Sequence, residues 1–402
     1  MNVLQVNTVF PNGSTGRIMA ELADYTARQD ASHAFAAFGI GGAGPKENVT
    51  ALLLGRVWER KCHGVIRKLF DAEGYGSRFA TVRLIRFCKS NKIDVIHMHN
   101  LHGCYVNLTR WFKYLRTAGI PVIWTLHDCW AVTGHCAHFT YAGCDKWKTE
   151  CYACPQQRSY PECIGLDGSR RNYRLKKKLF NSVPRLTLVT PCRWLEGIVQ
   201  ESYLAKLPTR VIYNGVDTKR FRPTDSEIRQ EYGLQDCKLL LAAASVWTDR
   251  KGLHVLKELS KMLGDGYRIA VLGLTGKQIE ALPENVLGLE RVSSTERLCA
   301  WYTAADCFIN PTLEDTMPLV NLEALACGTP VVTFNTGGCP EAVTDACGAV
   351  VQWGNVQAMA DAVRAVCARE TAAAPACLEQ AERFSMETTV RAYDALYREV
   401  LS

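Results

Sequence analysis

The sequence predicts an α/β protein made of two doubly wound, Rossmann-like lobes, each a parallel sheet covered by helices. Its 402 residues exceed what one hydrophobic core normally supports. Apolar residues make up 48% of the chain, enough to fill two cores. Short strand-like runs alternate with longer segments of helical periodicity throughout, which is typical of parallel sheets with helical crossovers.

Each half of the chain contributes its own set of strand-like runs. The first half has Val3–Val6, Asp94–Met98, Pro121–Leu126 and Leu186–Val189, and the second has Leu239–Ala243, Arg268–Leu272, Cys307–Ile309 and Pro330–Thr333. We expect the boundary near the turn-forming Asn214-Gly215 pair. The segment from Met386 to Leu401 has the spacing of a terminal helix.

Hydropathy indicates a cytoplasmic protein. The longest apolar run, Leu239–Trp247, is shorter than the ~20 residues that cross a bilayer. Met1 leads directly into a strand-like run, without the charged and apolar regions of a signal peptide.

The net charge of +7 is unevenly distributed. Residues 1–210 carry 29 Lys and Arg against 15 Asp and Glu, whereas residues 211–402 carry 18 against 25. Basic residues accompany apolar helical stripes at 56–70 and 170–180. Such segments either bind an anionic membrane at the inner face or pack as ordinary surface helices. Nucleic acid is not expected, because no recognised nucleic-acid motif accompanies the charge.

The most informative motif is the acidic stretch from Glu314 through Glu323 to the strand-like Val331-Val332. A helix start offers unpaired N–H groups that suit a diphosphate, and carboxylates beside it accept hydrogen bonds from sugar hydroxyls. Read alone, the spacing fits an acidic helix cap equally well.

This motif resembles the donor motif of the retaining glycosyltransferases of family four: Glu, seven residues, Glu, then Ala and a Gly-x-Pro-Val-Val strand. Glu323 matches the second glutamate, but the first position is Asp315, with Glu314 beside it. Thr316-Met317-Pro318 replaces the usual Gly-Phe-Gly. The resemblance implies that Glu323 binds ribose and that Asp315, with Glu314, acts at the transferred sugar.

The family has the GT-B architecture, in which two Rossmann-like lobes face an interdomain cleft and the C-terminal helix crosses back to the first lobe. On this resemblance we expect an acceptor-binding lobe of residues 1–210 joined by helix 386–402, and a nucleotide-sugar-binding lobe of residues 211–385. Landmarks at Tyr213–Asp217 and Phe384-Ser385-Met386 support the similarity.

Further site residues follow from the same resemblance. The glycine loop after the first strand places Gly13 and Gly16 by the donor, and His127, closing a strand, contacts the donor sugar as a catalytic residue. His127 could instead be a structural residue that only satisfies hydrogen bonds within the protein. The remaining assignments are acceptor-binding His97, His99 and Asn100, and donor-binding Arg250, Lys251, Leu319, Val320, Gly337 and Gly338.

We expect no catalytic metal, because no Asp-x-Asp pair suits a diphosphate-bound cation and Arg250 and Lys251 can neutralise the leaving diphosphate instead. Retention of anomeric configuration is implied by the family alone. In that mechanism a phosphate oxygen, rather than a side chain, takes the proton.

Cysteines are numerous, with 18 in the chain, and they concentrate in an insertion at residues 130–167. Cys136, Cys144, Cys151 and Cys154 include a Cys-x-x-Cys pair and offer four ligands to a structural zinc ion. Cys129 and Cys163 are spare candidates. Free thiols and disulfides are the alternatives, disulfides being the least expected in the cytosol.

Together these features predict a retaining, metal-independent hexosyltransferase. It would move a hexose from a nucleotide-diphosphate sugar to a glycan acceptor in surface-polysaccharide assembly, and we expect this acceptor to be lipid-linked. A nucleotide-sugar epimerase of the same fold and a basic, Cys-rich nucleic-acid-binding module are the rival hypotheses.

Overall fold

The computed structural model describes residues 1–41, 48–369 and 373–402. The chain divides into two compact units, Met1–Tyr213 with Val390–Ser402, and Asn214–Thr389. Each unit is built on one parallel sheet flanked by helices, so the predicted α/β class is confirmed.

The sheet of the first unit has the order β3-β2-β1-β4-β5-β6-β7, with every described pair parallel. Its strands are β1 (Asn2–Phe10), β2 (His33–Gly41), β3 (Val49–Leu53), β4 (Val95–Met98), β5 (Val122–Thr125), β6 (Leu186–Thr190) and β7 (Thr209–Val211). Its helices are α1 (Ser14–Ala27), α2 (Val57–Phe70), α3 (Arg78–Ser90), α4 (Leu108–Ala118), α5 (Ser169–Phe180) and α6 (Arg193–Glu201).

The sheet of the second unit has the order β10-β9-β8-β11-β12-β13 and is likewise parallel. Its strands are β8 (Lys238–Ala243), β9 (Tyr267–Leu272), β10 (Val286–Leu289), β11 (Cys307–Asn310), β12 (Val331–Phe334) and β13 (Gly348–Val351). Its helices are α7 (Ile228–Glu231), α8 (Leu253–Leu263), α9 (Gly276–Glu280), α10 (Thr295–Ala304), α11 (Leu319–Ala326), α12 (Val356–Cys367) and α13 (Ala374–Arg383).

All eight predicted strands are present, and the sequence missed mainly strands toward the sheet edges. The clearest miss is β2, whose sequence HAFAAFGIG is rich in Ala and Gly. These residues have low β propensity, and β2 is a strand because it pairs with both β1 and β3. Tertiary pairing therefore outweighs local preference at this position.

Both sheets have a topological switch point, where the direction of winding reverses. It lies between β1 and β4 in the first unit and between β8 and β11 in the second. Ligands of open α/β sheets bind outside the carboxyl ends of strands at such a point. The loops that follow β1, β4, β5, β8, β11 and β12 are consequently the places to look for a site.

The C-terminal helix (Met386–Leu401) returns to the first unit, as predicted. Tyr393 and Tyr397 are buried there. The Tyr397 hydroxyl lies 2.9 Å from Gln5 Nε2 and 2.7 Å from His97 Nδ1, while the Tyr393 hydroxyl lies 2.8 Å from Thr125 Oγ1. Hydrogen bonds to strands β1, β4 and β5 thus hold this helix in place.

The chain runs beside itself where it enters and leaves the second unit. Val216 bridges Ser385, and the Met386 amide donates to the Val216 carbonyl at 2.8 Å. A Cβ on Gly215 would lie 2.6 Å from Met386 Cα, so only glycine permits this approach. Within the described ranges, no helix combines the length and apolarity that crossing a bilayer requires.

Tyr397→Phe tests the docking of the C-terminal helix. The variant removes both hydrogen bonds of a buried hydroxyl and leaves Gln5 and His97 without their partner, which should cost about 1–3 kcal/mol of unfolding free energy. Urea unfolding followed by tryptophan fluorescence measures this cost. Tyr141→Phe, at a 42% exposed position, is the matched control. An unchanged midpoint for Tyr397→Phe would contradict the assigned role of the hydroxyl.

Candidate functional site

The glycine loop after β1 is held by one buried side chain that sequence analysis missed, Asn7. Its amide nitrogen donates to the Val9 carbonyl at 3.0 Å and to Thr15 Oγ1 at 3.3 Å. Its carbonyl oxygen accepts from the Asn100 amide at 3.3 Å. Asn7 therefore joins the loop at α1 to the segment after β4. The sequence could have indicated Asn7, because this polar residue lies in the second half of a strand that precedes a glycine loop.

The glycines themselves fit the predicted loop. Gly13 precedes α1 with a positive φ of 77°, and no side chain caps this helix start. A Cβ on Gly16 would lie 3.2 Å from the Val9 carbonyl oxygen, which is unusually close. The amides at the start of α1 are thus available to an anionic or hydroxylated ligand.

A chain of buried hydrogen bonds connects His127 to the C-terminal helix. His127 Nε2 lies 2.9 Å from His99 Nδ1, and His99 Nε2 lies 2.8 Å from the Gln5 Oε1. Because an amide oxygen only accepts, His99 must donate from Nε2 and accept at Nδ1. His127 therefore donates from Nε2, which leaves its Nδ1 unprotonated.

The same directional logic continues beyond Gln5. The Gln5 amide nitrogen donates to the Tyr397 hydroxyl, which then donates to His97 Nδ1. His97 Nε2 donates to Thr125 Oγ1 at 2.7 Å, and Thr125 in turn donates to Tyr393. Every imidazole in this chain of hydrogen bonds is neutral, and its hydrogen-bond partners determine which nitrogen carries the proton.

The pKa values agree with that state. Burial lowers the pKa of His97 and of His99 well below the ordinary value, with neighbouring imidazoles adding to the effect. Burial also lowers the pKa of His127 to about 4, against the opposing attraction of Asp128. None of the three is a cation near neutral pH.

These contacts correct the assignment of His97 and His99 to an acceptor pocket. Both side chains are fully buried, and both nitrogens of each ring bond within the chain of hydrogen bonds. Their geometry is that of positioning residues behind His127. Asn100 is only partly buried, and its assignment to acceptor binding stays a prediction.

Asp128 forms a second polar group beside His127. Its Oδ2 accepts from His102 Nε2 at 2.9 Å and its Oδ1 accepts from the Trp130 amide at 2.8 Å. Burial raises the pKa of Asp128, but the interactions with His102 and with the Trp130 amide outweigh burial and lower the pKa to about 2. His102 also contacts the Tyr160 hydroxyl at 2.8 Å. His102, in the loop after β4, thereby bonds both to Asp128 at the start of the segment after β5 and to Tyr160 within the Cys-rich insertion.

In the second unit, the loops after β8 and β11 lie in direct contact. Lys251, in the 3₁₀ turn Asp249–Lys251, forms an ion pair with the Asp315 carboxylate. The Arg250 guanidinium donates to the Glu314 carbonyl at 2.5 Å. A Cβ on Gly252 would lie 2.1 Å from the Pro311 carbonyl oxygen, so the glycine permits this contact. The predicted cations and acidic residues are thus brought together.

The two adjacent acidic residues are placed differently. Glu314 is only 2% exposed, whereas Asp315 is partly exposed and its Oδ1 accepts from the Thr316 amide at 2.9 Å. Of the pair, Asp315 is therefore the carboxylate that a ligand can reach. Sequence alone could not separate them, because both positions lie in the same loop.

Helix α11 begins at Leu319 with no side-chain cap, and the Leu319 and Val320 positions are partly exposed. One turn later, the buried Glu323 accepts a hydrogen bond from the Tyr302 hydroxyl at Oε2, at 3.2 Å. Tyr302, from α10, was not singled out in the sequence. Its hydroxyl helps to hold the Glu323 carboxylate in place.

Gly337 and Gly338 brace this loop. A Cβ on Gly337 would lie 1.7 Å from the Asp315 carbonyl oxygen, and its φ is +54°. The Gly338 amide donates to the Thr316 carbonyl at 2.9 Å. The two glycines thus hold Asp315 in place through the backbone, which is a different role from direct donor binding.

Helix α2 has an inverted distribution of polarity. Its buried residues are Glu59 and His63, while Val57, Trp58, Val65, Leu69 and Phe70 are exposed. Glu59 Oε1 accepts from the Phe79 and Ala80 amides at the start of α3, and His63 bonds to Ser77 and to the Gly74 amide. The polar face of the helix binds the protein, and its apolar face meets solvent.

Helix α5, the other basic segment, packs normally. Tyr173, Lys176 and Phe180 are buried, and Arg170 and Arg174 pair with Glu150. The ordinary surface-helix alternative therefore describes α5, and α2 is the segment with an unpartnered apolar face.

Four cysteines of the insertion, Cys136, Cys144, Cys151 and Cys154, line one small cavity together with His135. The thiols of Cys136 and Cys154 are hydrogen-bonded to each other. Their sulfurs are not all at metal-binding spacing: across the described ranges, the three ligand atoms grouped within 4.8 Å belong to His63, Glu73 and Cys104. In that group, both His63 nitrogens are already occupied by Ser77 and Gly74.

The fold defines the class of protein. Two Rossmann-like units constitute the GT-B arrangement of glycosyltransferases. A cyanobacterial sucrose-phosphate synthase from Thermosynechococcus elongatus matches with a TM-score of 0.72 at 15% identity, over 100% of this chain and 99% of its own. HepE from Anabaena, crystallised with UDP, matches with a TM-score of 0.69 at 16% identity, over 99% and 100%. The predicted GT-B fold is confirmed.

Sequence comparison identifies the family. The model described as Glycosyltransferase Family 4 matches residues 15–220, and that described as Glycosyl transferases group 1 matches residues 237–369. The chain therefore belongs to glycosyltransferase family 4, and it is a glycosyltransferase. WcaC of Escherichia coli K12, named for colanic acid biosynthesis, is 26% identical over 367 residues, 87% of each chain.

Acidification tests the neutral histidine chain. Because the pKa of His127 is lower in the folded state than in the unfolded state, its contribution to stability is complete above pH ~6.5. As the pH falls toward about 4, protonation of this partly exposed ring alone should lower the free energy of unfolding by about 2 kcal/mol. Urea unfolding at pH 7 and at pH 4.5 measures the loss.

His127→Gln, which cannot be protonated, should lose less stability between the two pH values than the wild type. His33→Gln, at an exposed histidine, serves as the control and should behave as the wild type. Identical pH dependence in all three proteins would contradict the assignment.

Proposed function

We propose that this chain is a retaining, metal-independent hexosyltransferase that moves a hexose from a nucleotide-diphosphate sugar to a lipid-linked glycan in surface-polysaccharide assembly. The observation that carries the proposal is the group at the second unit's switch point: Lys251 paired with Asp315, beside the uncapped start of α11. The structures of HepE with UDP and with UDP-glucose and the name of WcaC support the donor class and the setting.

The donor's pyrophosphate would lie at the start of α11. The amides of Leu319 and Val320 are the N–H donors that a helix start presents to an anion. Arg250 and Lys251 supply positive charge, and both are already positioned by contacts with the loop after β11. Glu323 would accept hydrogen bonds from the ribose hydroxyls, while its Oε2 also accepts from the Tyr302 hydroxyl.

Charge on the departing diphosphate explains why a divalent cation is unnecessary in this proposal. As the glycosidic bond breaks, negative charge accumulates on the diphosphate, and fixed cations and amides stabilise it. Lys251 is held by Asp315 before any ligand binds, so it needs little reorganisation. Such preorganised electrostatics is worth several kcal/mol in typical enzymes.

Asp315 would bind the hexose through its hydroxyls, because it is the accessible carboxylate of the acidic pair. In the proposed route to retention, the acceptor hydroxyl attacks from the face that the diphosphate leaves. A diphosphate oxygen then accepts the hydroxyl proton. In this route no side chain acts as general base, which fits a pocket in which Asp315 is already neutralised by Lys251.

In the first unit, His127 would accept a hydrogen bond from a substrate sugar hydroxyl. Its Nε2–H is committed to His99, which leaves the unprotonated Nδ1 as an acceptor. Gln5, His99 and Tyr397 hold the ring in that tautomer. The catalytic assignment of His127 thus takes a definite chemical form: a neutral acceptor rather than an acid.

The acceptor's lipid would bring the enzyme to a bilayer, and α2 is the surface that fits one. Trp58 contacts Phe79 with 6.4 Å between ring centroids, and the segment Ile164–Leu166 is hydrogen-bonded along the end of α2. We call the exposed side chains of this surface the α2 patch: Val57, Trp58, Val65, Leu69, Phe70, Phe79, Ile164 and Leu166. Exposed basic residues Arg56, Lys61 and Lys68 adjoin it.

An anionic membrane surface fits both the apolar side chains of the α2 patch and the basic residues beside it. Apolar side chains enter the boundary between headgroups and acyl chains, and each neighbouring Lys or Arg adds about 1 kcal/mol near an anionic leaflet. A contiguous exposed apolar patch of this kind is typical of an interaction site. Location at the inner membrane face follows if the acceptor is lipid-linked.

Glu323→Gln should weaken donor binding ten- to a hundredfold, because losing charge-assisted hydrogen bonds to the ribose costs about 1.5–3 kcal/mol. Release of nucleoside diphosphate from a panel of UDP-, GDP- and ADP-sugars, together with calorimetric titration of UDP, measures the effect. Asp315→Asn should lower turnover with a smaller effect on UDP affinity.

Glu258→Gln, an exposed carboxylate on α8 of the same unit, is the matched control and should leave both quantities unchanged. Near-normal turnover of Glu323→Gln, with an intact fold by circular dichroism, would remove the proposed donor site.

Replacing Trp58 and Leu69 together by Ser should reduce sedimentation with phosphatidylglycerol vesicles at least tenfold, since each apolar side chain contributes up to about 1.5–3 kcal/mol when buried. Transfer to a water-soluble acceptor should be unaffected. Val246→Ser removes an exposed apolar side chain from the second unit and is the control. Unchanged sedimentation of the double variant would show that the α2 patch contacts something else.

A further inference from the structure

The Cys-rich insertion has little of the regular secondary structure that normally holds a long segment in place. Between β5, which ends at Thr125, and α5, which begins at Ser169, the regular structure is a single 3₁₀ turn, Lys146–Lys148. Loops beyond about 12–15 residues without structure of their own are uncommon in compact domains. Yet the insertion has a buried interior that includes Phe139 and Trp147, stacked with 4.8 Å between centroids. Something must offset the conformational entropy of ordering it.

We propose that a tetrahedral zinc ion holds this insertion, bound by Cys144, Cys151, Cys154 and one member of the adjacent pair His135–Cys136. All five side chains line the same cavity. Thiolate and imidazole are the preferred ligands of structural zinc, and four protein ligands leave no open position for catalysis. Each thiol ligand would release its proton to solvent on binding. The site is independent of the glycosyltransferase chemistry.

His135 provides the strongest single argument. It is only 2% exposed, and its Nδ1 lies 2.6 Å from the Asp71 Oδ1. Its Nε2 is buried and has no hydrogen-bond partner in the described part of the chain. A buried imidazole with one nitrogen fixed by a carboxylate and the other unsatisfied is the second-shell arrangement of zinc-bound histidine. Leaving that nitrogen unbound would cost about 1–3 kcal/mol.

The Cys151-Tyr152-Ala153-Cys154 turn is also preorganised. Ala153 has a positive φ of 42°, a strained conformation for a residue with a side chain. The Lys146 ammonium donates to the carbonyls of Tyr152 and Ala153 at 3.0 Å each, and the Cys154 amide donates to Asp167 Oδ2 at 2.9 Å. These contacts fix the backbone of the turn that carries the two cysteines.

Two further groups suit a negatively charged metal–thiolate centre. The Gly134 amide donates to Cys151 Sγ at 3.2 Å, a hydrogen bond that favours thiolate. The Lys176 ammonium is buried beside the insertion, where it donates to the Trp130 and Thr133 carbonyls. The spare cysteine Cys163 is not suited, because its thiol donates to the Leu166 carbonyl at 3.4 Å. The four ligands of the proposed site are not grouped at metal-binding spacing in the described residues, so zinc binding requires these side chains to move.

The direct test is the metal content of the full-length protein purified without chelator. Elemental analysis should find one zinc per chain, and cobalt-substituted protein should show the absorption bands of tetrahedral thiolate coordination. Chelation should lower the melting temperature. Cys151→Ser combined with Cys154→Ser should abolish zinc binding, whereas Cys62→Ser, an exposed cysteine in α2, should retain it.

His135→Asn and Cys136→Ser identify the fourth ligand, because the zinc stoichiometry should fall in one of them and not in the other. Retention of zinc in both variants would overturn the ligand set. A metal-free native protein would overturn the site altogether, whether mass spectrometry then shows free thiols or a Cys136–Cys154 disulfide. Metal content is measured independently of transfer, so this result leaves the proposed function untouched.

Discussion

The meeting of strand ends at a topological switch point is the constraint on which the rest of this structure depends. In a parallel sheet every strand ends at the same edge, so loops distant in sequence are brought side by side. In the second unit this brings Lys251, after β8, to Asp315, after β11. It also requires glycine at 252 and 337, where backbones approach too closely for a side chain. The charges and amides of the site are positioned by the sheet before any ligand is bound.

The first unit meets the same requirement with hydrogen bonds instead of ion pairs. Polar side chains from β1, β4 and β5 would be costly to bury unsatisfied, and the directional chain from His127 to Tyr393 satisfies them one after another. Because each ring donates once and accepts once, the chain requires neutral histidines. The C-terminal helix, although last in sequence, therefore helps to fix the tautomers of the buried histidines. Stability and chemistry are coupled through the same side chains.

Two parts of the first unit have an arrangement of polar and apolar side chains that folding of the chain alone does not require. Helix α2 buries Glu59 and His63 and exposes Trp58 and Leu69, so its apolar face is free for an external surface. The Cys-rich insertion does the opposite, since it buries a cysteine-lined cavity within a segment of little regular structure. Both features belong to the basic first unit. For each we propose a partner outside the polypeptide, a bilayer in one case and a metal ion in the other.

The sequence by itself determined the α/β class, the eight strands named from it, the terminal helix and the family motif around Glu323, because these depend on local periodicity and spacing. It could not choose between Glu314 and Asp315, since exposure within one loop depends on the backbone around it. It assigned His97 and His99 to the acceptor, and only tertiary contacts with Gln5 and Tyr397 showed them to be positioning residues. The roles of Asn7, Tyr302 and Asp71 were likewise decided by the tertiary structure. Hydrogen bonds between residues far apart in sequence leave no periodic signal, so the packed chain alone decides them.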